Sequence, residues 1–169
     1  MKKIIATGGL GFIGSNLIEL LLKKSFFVIN IDKVTYSSSF YKLVDLKNKK
    51  NYKFIKCDIK DKKMEKIFNK FKPYCIFNLA AETHVDRSID NPDKFIQSNI
   101  VGIFNLLECF KNFSKRFKSK LIHISTGLIY ALKKFSIQIT MYRIKDYLKL
   151  FFRKILKSFF KSKDPSIVR

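Results

Sequence analysis

Residues Ile4-Ile5-Ala6-Thr7-Gly8-Gly9-Leu10-Gly11-Phe12-Ile13-Gly14-Ser15 restrict the fold more than any other stretch of the chain. A short apolar run reads as a strand, spaced glycines follow it, and residues 16–24 carry a helical pattern. The order strand, glycine-rich turn, helix is the fingerprint of a dinucleotide-binding unit. The spacing assigns Gly9 to the tight turn out of the strand, Gly11 to a close approach of backbone and pyrophosphate, and Gly14 to close helix–strand packing. The helix N-terminus would offer unpaired N–H groups and a partial positive charge to the phosphates. A plain glycine turn between strand and helix would give the same spacing, so context must decide.

That context is an acid about twenty residues on, at the end of a second strand. Residues 26–31 form a second apolar run, and Asp32 ends it. An acid there accepts a hydrogen bond from a ribose 2′-hydroxyl and repels a 2′-phosphate, which favours NAD over NADP.

Further along, residues 34–53 read as a polar, lysine-rich connection with a short helix at 40–46. Residues 52–57 form a third strand, ending at Asp58-Ile59. Asp61 is placed to cap a helix at 64–71, whose Met64, Ile67, Phe68 and Phe71 recur at i, i+3, i+4, i+7, and Pro73 stops it. The unbroken run at 75–80 fits a strand buried on both faces of a parallel sheet. A longer helix spans 95–113, and residues 121–126 make a fifth strand. Strands alternating with helices predict an α/β fold, a Rossmann-type doubly wound parallel sheet. Ligands bind such sheets beyond the carboxyl ends of the strands. Thr7, Asp32, Asp58, Ala80 and Thr126 are therefore expected to converge on one crevice.

Charge bears on what else the chain does. Its 169 residues carry 35 Lys and Arg against 13 Asp and Glu, a net charge of +22. That invites a nucleic-acid partner, but the lysines are spread along the chain and no nucleic-acid motif accompanies them. The richness in Lys, Asn, Ile, Phe and Tyr fits compositional drift instead, so no specific nucleic-acid partner is expected. Cys57, Cys75 and Cys109 are odd in number and widely spaced, which suits free buried thiols in a reducing cytoplasmic setting. Glycines interrupt the N-terminal segment before an apolar signal core forms, and no run reaches about 18 apolar residues. No signal peptide and no membrane span are expected.

Four motifs carry a family resemblance. They are residues 7–15, Asp32-Lys33-Val34-Thr35-Tyr36, Leu79-Ala80-Ala81-Glu82-Thr83-His84-Val85-Asp86-Arg87-Ser88-Ile89, and Phe95-Ile96-Gln97-Ser98-Asn99-Ile100-Val101-Gly102. With these, residues 1 to about 126 resemble the extended short-chain dehydrogenase/reductase superfamily, and within it the dTDP-glucose 4,6-dehydratase family. The third motif is the most specific. The resemblance implies an NAD site made by Gly8, Gly11, Phe12, Ile13, Gly14, the ribose segment Asp32, Lys33, Val34 and Thr35, and the adenine-side residues Asp58 and Ile59. Leu79, Ala80, Ala81, Glu82 and Ser98 complete it. Thr83 and Thr126 match positions that meet the sugar of a nucleotide sugar, dTDP-glucose by resemblance, and Ser125 stands beside them. Thr83 and Ser98 also suit a strand-end or helix-cap hydroxyl. His84 matches a loop beside the site rather than a proton carrier. Asp86 and Arg87 suit either a solvated pair or a contact with substrate phosphate. Family members dimerise through helices of this domain, so a homodimer is a further expectation.

The family reaction moves hydride from sugar C4 to NAD and back to C6, with a Tyr of a Tyr-x-x-x-Lys pair as base. A Glu removes the C5 proton while an Asp protonates the leaving hydroxyl. The chain departs here. The family's Ser-Thr-Asp-Glu-Val-Tyr-Gly is Ser125-Thr126-Gly127-Leu128-Ile129-Tyr130-Ala131, so Gly127 and Leu128 replace both carboxyls. Tyr130 and Lys134 have the right spacing, but Tyr130 already matches the motif tyrosine. Tyr142 and Lys145 are the remaining catalytic candidates, one residue short of the family spacing. The expected organisation is an NAD-binding domain at 1–130 and a divergent basic tail at 131–169, truncated relative to the family and lacking its substrate domain. A C-terminal half encoded separately would then be a partner. The tail's 142–161 segment has the spacing of an amphipathic helix, with Phe and Leu on one face and Lys on the other. An ordinary sheet-packing helix and a helix lying on an anionic membrane both fit that pattern.

Overall fold

In the computed structural model, residues 1–36, 38–83 and 92–124 are described, with the side chains of 40–43 set aside. They fold as β1 Lys3–Thr7, α1 Phe12–Lys23, β2 Phe27–Asp32, α2 Phe40–Lys47, β3 Tyr52–Lys56, α3 Lys63–Phe71 and β4 Cys75–Asn78. Then come α4 Pro92–Ile96, a π turn Gln97–Val101, α5 Gly102–Ser114 and β5 Lys120–His123. Every strand pairing is parallel, in the order β3-β2-β1-β4-β5. The order reverses beside β1, which makes the gap between β1 and β4 the switch point of the sheet.

The inner strands β1, β2 and β4 are mostly apolar and buried because helices cover both sheet faces. Ile5, Ile29, Ile31 and Ile76 face α3 and α5, packing against Met64, Phe68, Phe71, Leu106, Cys109 and Phe113. Phe68 meets Phe113 edge-on at 5.9 Å between ring centres, a favourable aromatic geometry. Alternate residues point the other way, where α1 packs on β1 and β2 with Leu17, Ile18 and Leu21 fully buried. The doubly wound reading of the sequence is what the chain adopts.

Local readings need correction. Asp61 does not cap α3 with its side chain: the N-cap is Lys62, and Asp61 accepts the Met64 N–H through its backbone carbonyl. Its carboxylate turns back to the Asp58 N–H at 3.4 Å. The helix expected at 95–113 begins earlier, at Pro92, and is interrupted by the π turn. Among the glycines, the turn's left-handed residue is Gly8, at φ +68°, rather than Gly9. A Cβ on Gly9 would instead collide with Asn30 and Ile18, so that glycine serves packing. Gly14 behaves as expected, since its Cβ would strike the backbone of Gly8 and Gly9.

The expectations for His84, Asp86, Arg87, Ser125, Thr126, Gly127, Leu128, Tyr130, Lys134, Tyr142, Lys145 and the 142–161 helix lie outside the described residues. Among the described residues, no helix is long and apolar enough to cross a membrane. The three cysteines are free and buried.

Candidate functional site

A crevice opens beyond the carboxyl ends of β1 to β4. Gly8 and Gly11 form its floor, Asp32, Lys33 and Thr35 one wall, Asp58 and Ile59 a second, and Leu79 to Glu82 with Ser98 a third. Most of the cofactor residues expected from sequence therefore meet in one place. Phe12, Ile13, Gly14 and Val34 do not line it. Gly14 is buried behind the turn, while Phe12 and Ile13 project outward at 56% and 36% exposure. Thr83 follows Glu82 and is exposed, outside the lining. Thr7, expected at the crevice, is fully buried and donates its hydroxyl to Asn78 Oδ1 at 2.5 Å. The Asn78 amide in turn lies 2.9 Å from His123 Nδ1. This polar chain pins β1, β4 and β5 together, and burial pushes the His123 pKa below its usual value.

Backbone geometry shapes the floor. Gly8 donates to Ile31 O at 2.9 Å, which ties the turn to β2, and Gly11 N–H returns to Gly8 O at 3.2 Å. Gly11 is the N-cap of α1, and no side chain caps that end. The first N–H groups of a helix have no intrahelical acceptor. A Cβ on Gly11 would meet only Gly8 O, at 3.3 Å, and otherwise open space. A phosphate group fits this arrangement, because donors face it and no side chain stands in front.

Asp32 is the anchor of its wall. It is 8% exposed, and its carboxylate accepts the Leu10 N–H at 3.0 Å and the Val34 N–H at 2.8 Å. Those bonds tie the glycine loop to β2 and leave lone pairs for a further donor. They also hold Val34, a β-branched residue, at φ +63°, a conformation such residues avoid. Ser38 Oγ accepts the Thr35 N–H at 2.9 Å and completes this loop.

The other walls are set by asparagines. Asn105 donates to Ile59 O at 2.6 Å, and a Cβ on Gly102 would press on the Ile59 side chain. The Asn99 side chain donates to Glu82 O and accepts the Glu82 N–H, both at 2.9 Å. Lys33 crosses to this wall, donating to Glu82 at 2.8 Å and Ser98 at 2.7 Å. Sequence reasoning missed Ser38, Asn99, Asn105 and Cys57, which also lines the crevice. Asn99 stood inside a quoted motif and was the one readable signal among them. Burial, reinforced by Asp61, pushes the Cys57 thiol up to about 11, so it is no ready nucleophile.

A parallel sheet with this crevice at its switch point defines a Rossmann-type domain of the kind that binds dinucleotides. The sequence model of the GDP-mannose 4,6 dehydratase family matches residues 5–138, and the chain belongs to that family. Curated relatives include the dTDP-glucose 4,6-dehydratase of Haemophilus influenzae, 44% identical over 138 residues, which cover 77% of this chain and 41% of the relative. The dTDP-glucose 4,6-dehydratase 1 of Escherichia coli is 40% identical over 136 residues, covering 76% and 38%. Among solved structures, the dTDP-glucose 4,6-dehydratase of Bacillus anthracis in complex with NAD matches with a TM-score of 0.66 and 27% identity, over 96% of this chain and 52% of that one. The Thermus thermophilus UDP-glucose 4-epimerase in complex with NAD matches with a TM-score of 0.66 and 26% identity, over 95% and 51%. The chain spans about two-fifths of the length of these curated relatives.

Proposed function

We propose that this chain carries the NAD-binding part of a nucleotide-sugar 4,6-dehydratase of the dTDP-glucose type. The observation that supports it best is the meeting of the glycine turn, Asp32, Asp58-Ile59 and Leu79–Glu82 in one crevice at the switch point. The NAD named for two structural relatives fits that crevice. When bound, NAD supplies the hydride acceptor. The N-terminal N–H groups of α1 hold the pyrophosphate, and Gly11 leaves room for it. Asp32, fixed by two backbone donors, accepts from the ribose and repels a 2′-phosphate. Asp58 and Ile59 flank the adenine, and Ser98 with residues 79–82 closes the far side. Thr83 and Thr126 are assigned to the sugar, and Tyr142 with Lys145 to the hydride step.

The same reading makes the chain incompetent in the elimination. Gly127 and Leu128 stand where the acid and base are needed, and neither moves a proton. The test is direct: the purified chain is incubated with NAD and dTDP-glucose, and the sugar is followed by mass spectrometry. No 4-keto-6-deoxy product is expected. Product above a chain-free control would refute the assignment of Gly127 and Leu128.

A surface observation supports self-association. Ile96, Ile100, Phe104 and Leu107 recur along one helical stripe with exposures of 44%, 60%, 65% and 44%. Adjacent exposed apolar residues of this size suit a protein interface, and a second copy of the chain is the proposed occupant.

A further inference from the structure

Lys33 has a tether that stability does not explain. Its ammonium reaches Glu82 and Ser98, 49 and 65 positions away in sequence. Lys33 leaves the end of β2 and Glu82 follows β4, with β1 lying between those strands. The contact therefore spans the width of β1 at the switch point. Its far end is rigid: Asn99 holds the Glu82 backbone by two hydrogen bonds, and Asn99 and Ser98 share the π turn. The Lys33 and Glu82 side chains are 33% and 23% exposed. An ion pair that open to water adds little to stability.

Its position suggests another use. In Rossmann sites an acid ending the second strand takes the ribose 2′-hydroxyl, and a nearby cation accommodates a 2′-phosphate. This chain has both side by side, Asp32 and then Lys33. A free ammonium at that place would offset part of the repulsion by Asp32 and weaken discrimination. We propose that Glu82 and Ser98 sequester Lys33 from the ribose end of the crevice, making them determinants of dinucleotide choice alongside Asp32. The inference rests on the dinucleotide reading of the crevice. Glu82 occupies the charge, Ser98 fixes the direction, and Asn99 keeps their wall in place.

The experiment titrates the full chain with NAD and with NADP by calorimetry, for the wild type, Glu82→Gln/Ser98→Ala, and the same double variant with Lys33→Met. The ratio of the NADP to the NAD dissociation constant should fall by about tenfold in the double variant, the size of one charge-assisted hydrogen bond. Adding Lys33→Met should restore the ratio. A ratio unchanged in the double variant, with NAD still bound, overturns the proposal and leaves the dinucleotide reading standing. Failure of the wild type to bind either dinucleotide overturns both. Should the double variant not fold, Ser98→Ala is judged by the same ratio. Reductive methylation of the ligand-free wild type, read by mass spectrometry, then checks the tether: Lys33 should react more slowly than exposed Lys60, and equal rates overturn the proposal.

Discussion

Replacing Gly8 and Gly11 with alanine, one at a time, should separate folding from binding. Gly8 sits at φ +68°, and an added Cβ would come within 2.7 Å of Ala80 N and 2.8 Å of Ala80 Cα. The left-handed conformation costs a non-glycine residue roughly 1–2 kcal/mol. Crowding against backbone adds about 1–3 kcal/mol, because neither β1 nor the end of β4 can turn aside. The sum, about 2–5 kcal/mol, is a large part of the roughly 5–15 kcal/mol that keeps an ordinary domain folded. Gly11 differs. Its φ of −71° suits alanine, and its Cβ would touch only Gly8 O at 3.3 Å. Loss of a glycine N-cap then costs at most about 1 kcal/mol. Urea denaturation followed by far-UV circular dichroism reads both. With a slope near 2 kcal/mol/M, Gly8→Ala should lower the midpoint by about 1–2.5 M, and Gly11→Ala by about 0.5 M or less. Gly11→Ala should nevertheless lose NAD binding, since its methyl group occupies the phosphate position. Equal destabilisation by the two variants would refute the turn geometry. A Gly11→Ala protein that binds NAD like the wild type would refute the placement of the pyrophosphate.

Acid should weaken the fold through His123. Its folded pKa lies below the unfolded value near 6.5, so the native state holds that proton less tightly than the unfolded chain does. Stability from this residue is complete above pH 6.5 and declines as pH falls below it, when protonated Nδ1 would face the Asn78 amide donor. The urea midpoint of His123→Gln should change less between pH 7.5 and pH 5.5 than that of the wild type, and an equal change would contradict the account. Phe104→Lys should shift the chain toward monomer in sedimentation velocity without lowering its unfolding free energy in urea by more than about 0.5 kcal/mol, as for an exposed residue. A wild type that is monomeric at 100-fold higher concentration than the assay needs would dispose of the interface.

Much of this arrangement was legible in the chain because parallel sheets buried on both faces leave plain marks. The runs at residues 4–6 and 75–77 are apolar without alternation, residues 28–31 are broken only by the buried Asn30, and each run ends at a polar residue that the topology sends to the same edge. Asp32, Asp58 and Ala80 followed directly from strand ends. Thr7 broke that rule because its partner Asn78 lies on the neighbouring strand, 71 residues away. The exchange of roles between Gly8 and Gly9 was hidden for a local reason: two adjacent glycines leave the phase of the turn open until the strand register is known. Lys33, Glu82 and Ser98 each matched a motif alone, but their contact depends on strand order, which no single motif encodes. The asparagines that fix the walls bond to backbone, so their partners carry no signature in sequence at all.

The central claim is that the crevice is a site for NAD, and a thermal melt of the purified chain tests it most directly. A ligand that binds only the folded state stabilises it by about 2.7 kcal/mol at a hundredfold excess over its dissociation constant. The account predicts a cooperative transition that moves up by several degrees with millimolar NAD and by less with NADP, and an NAD response that Asp32→Ala abolishes. A cooperative melt that neither dinucleotide shifts would contradict it.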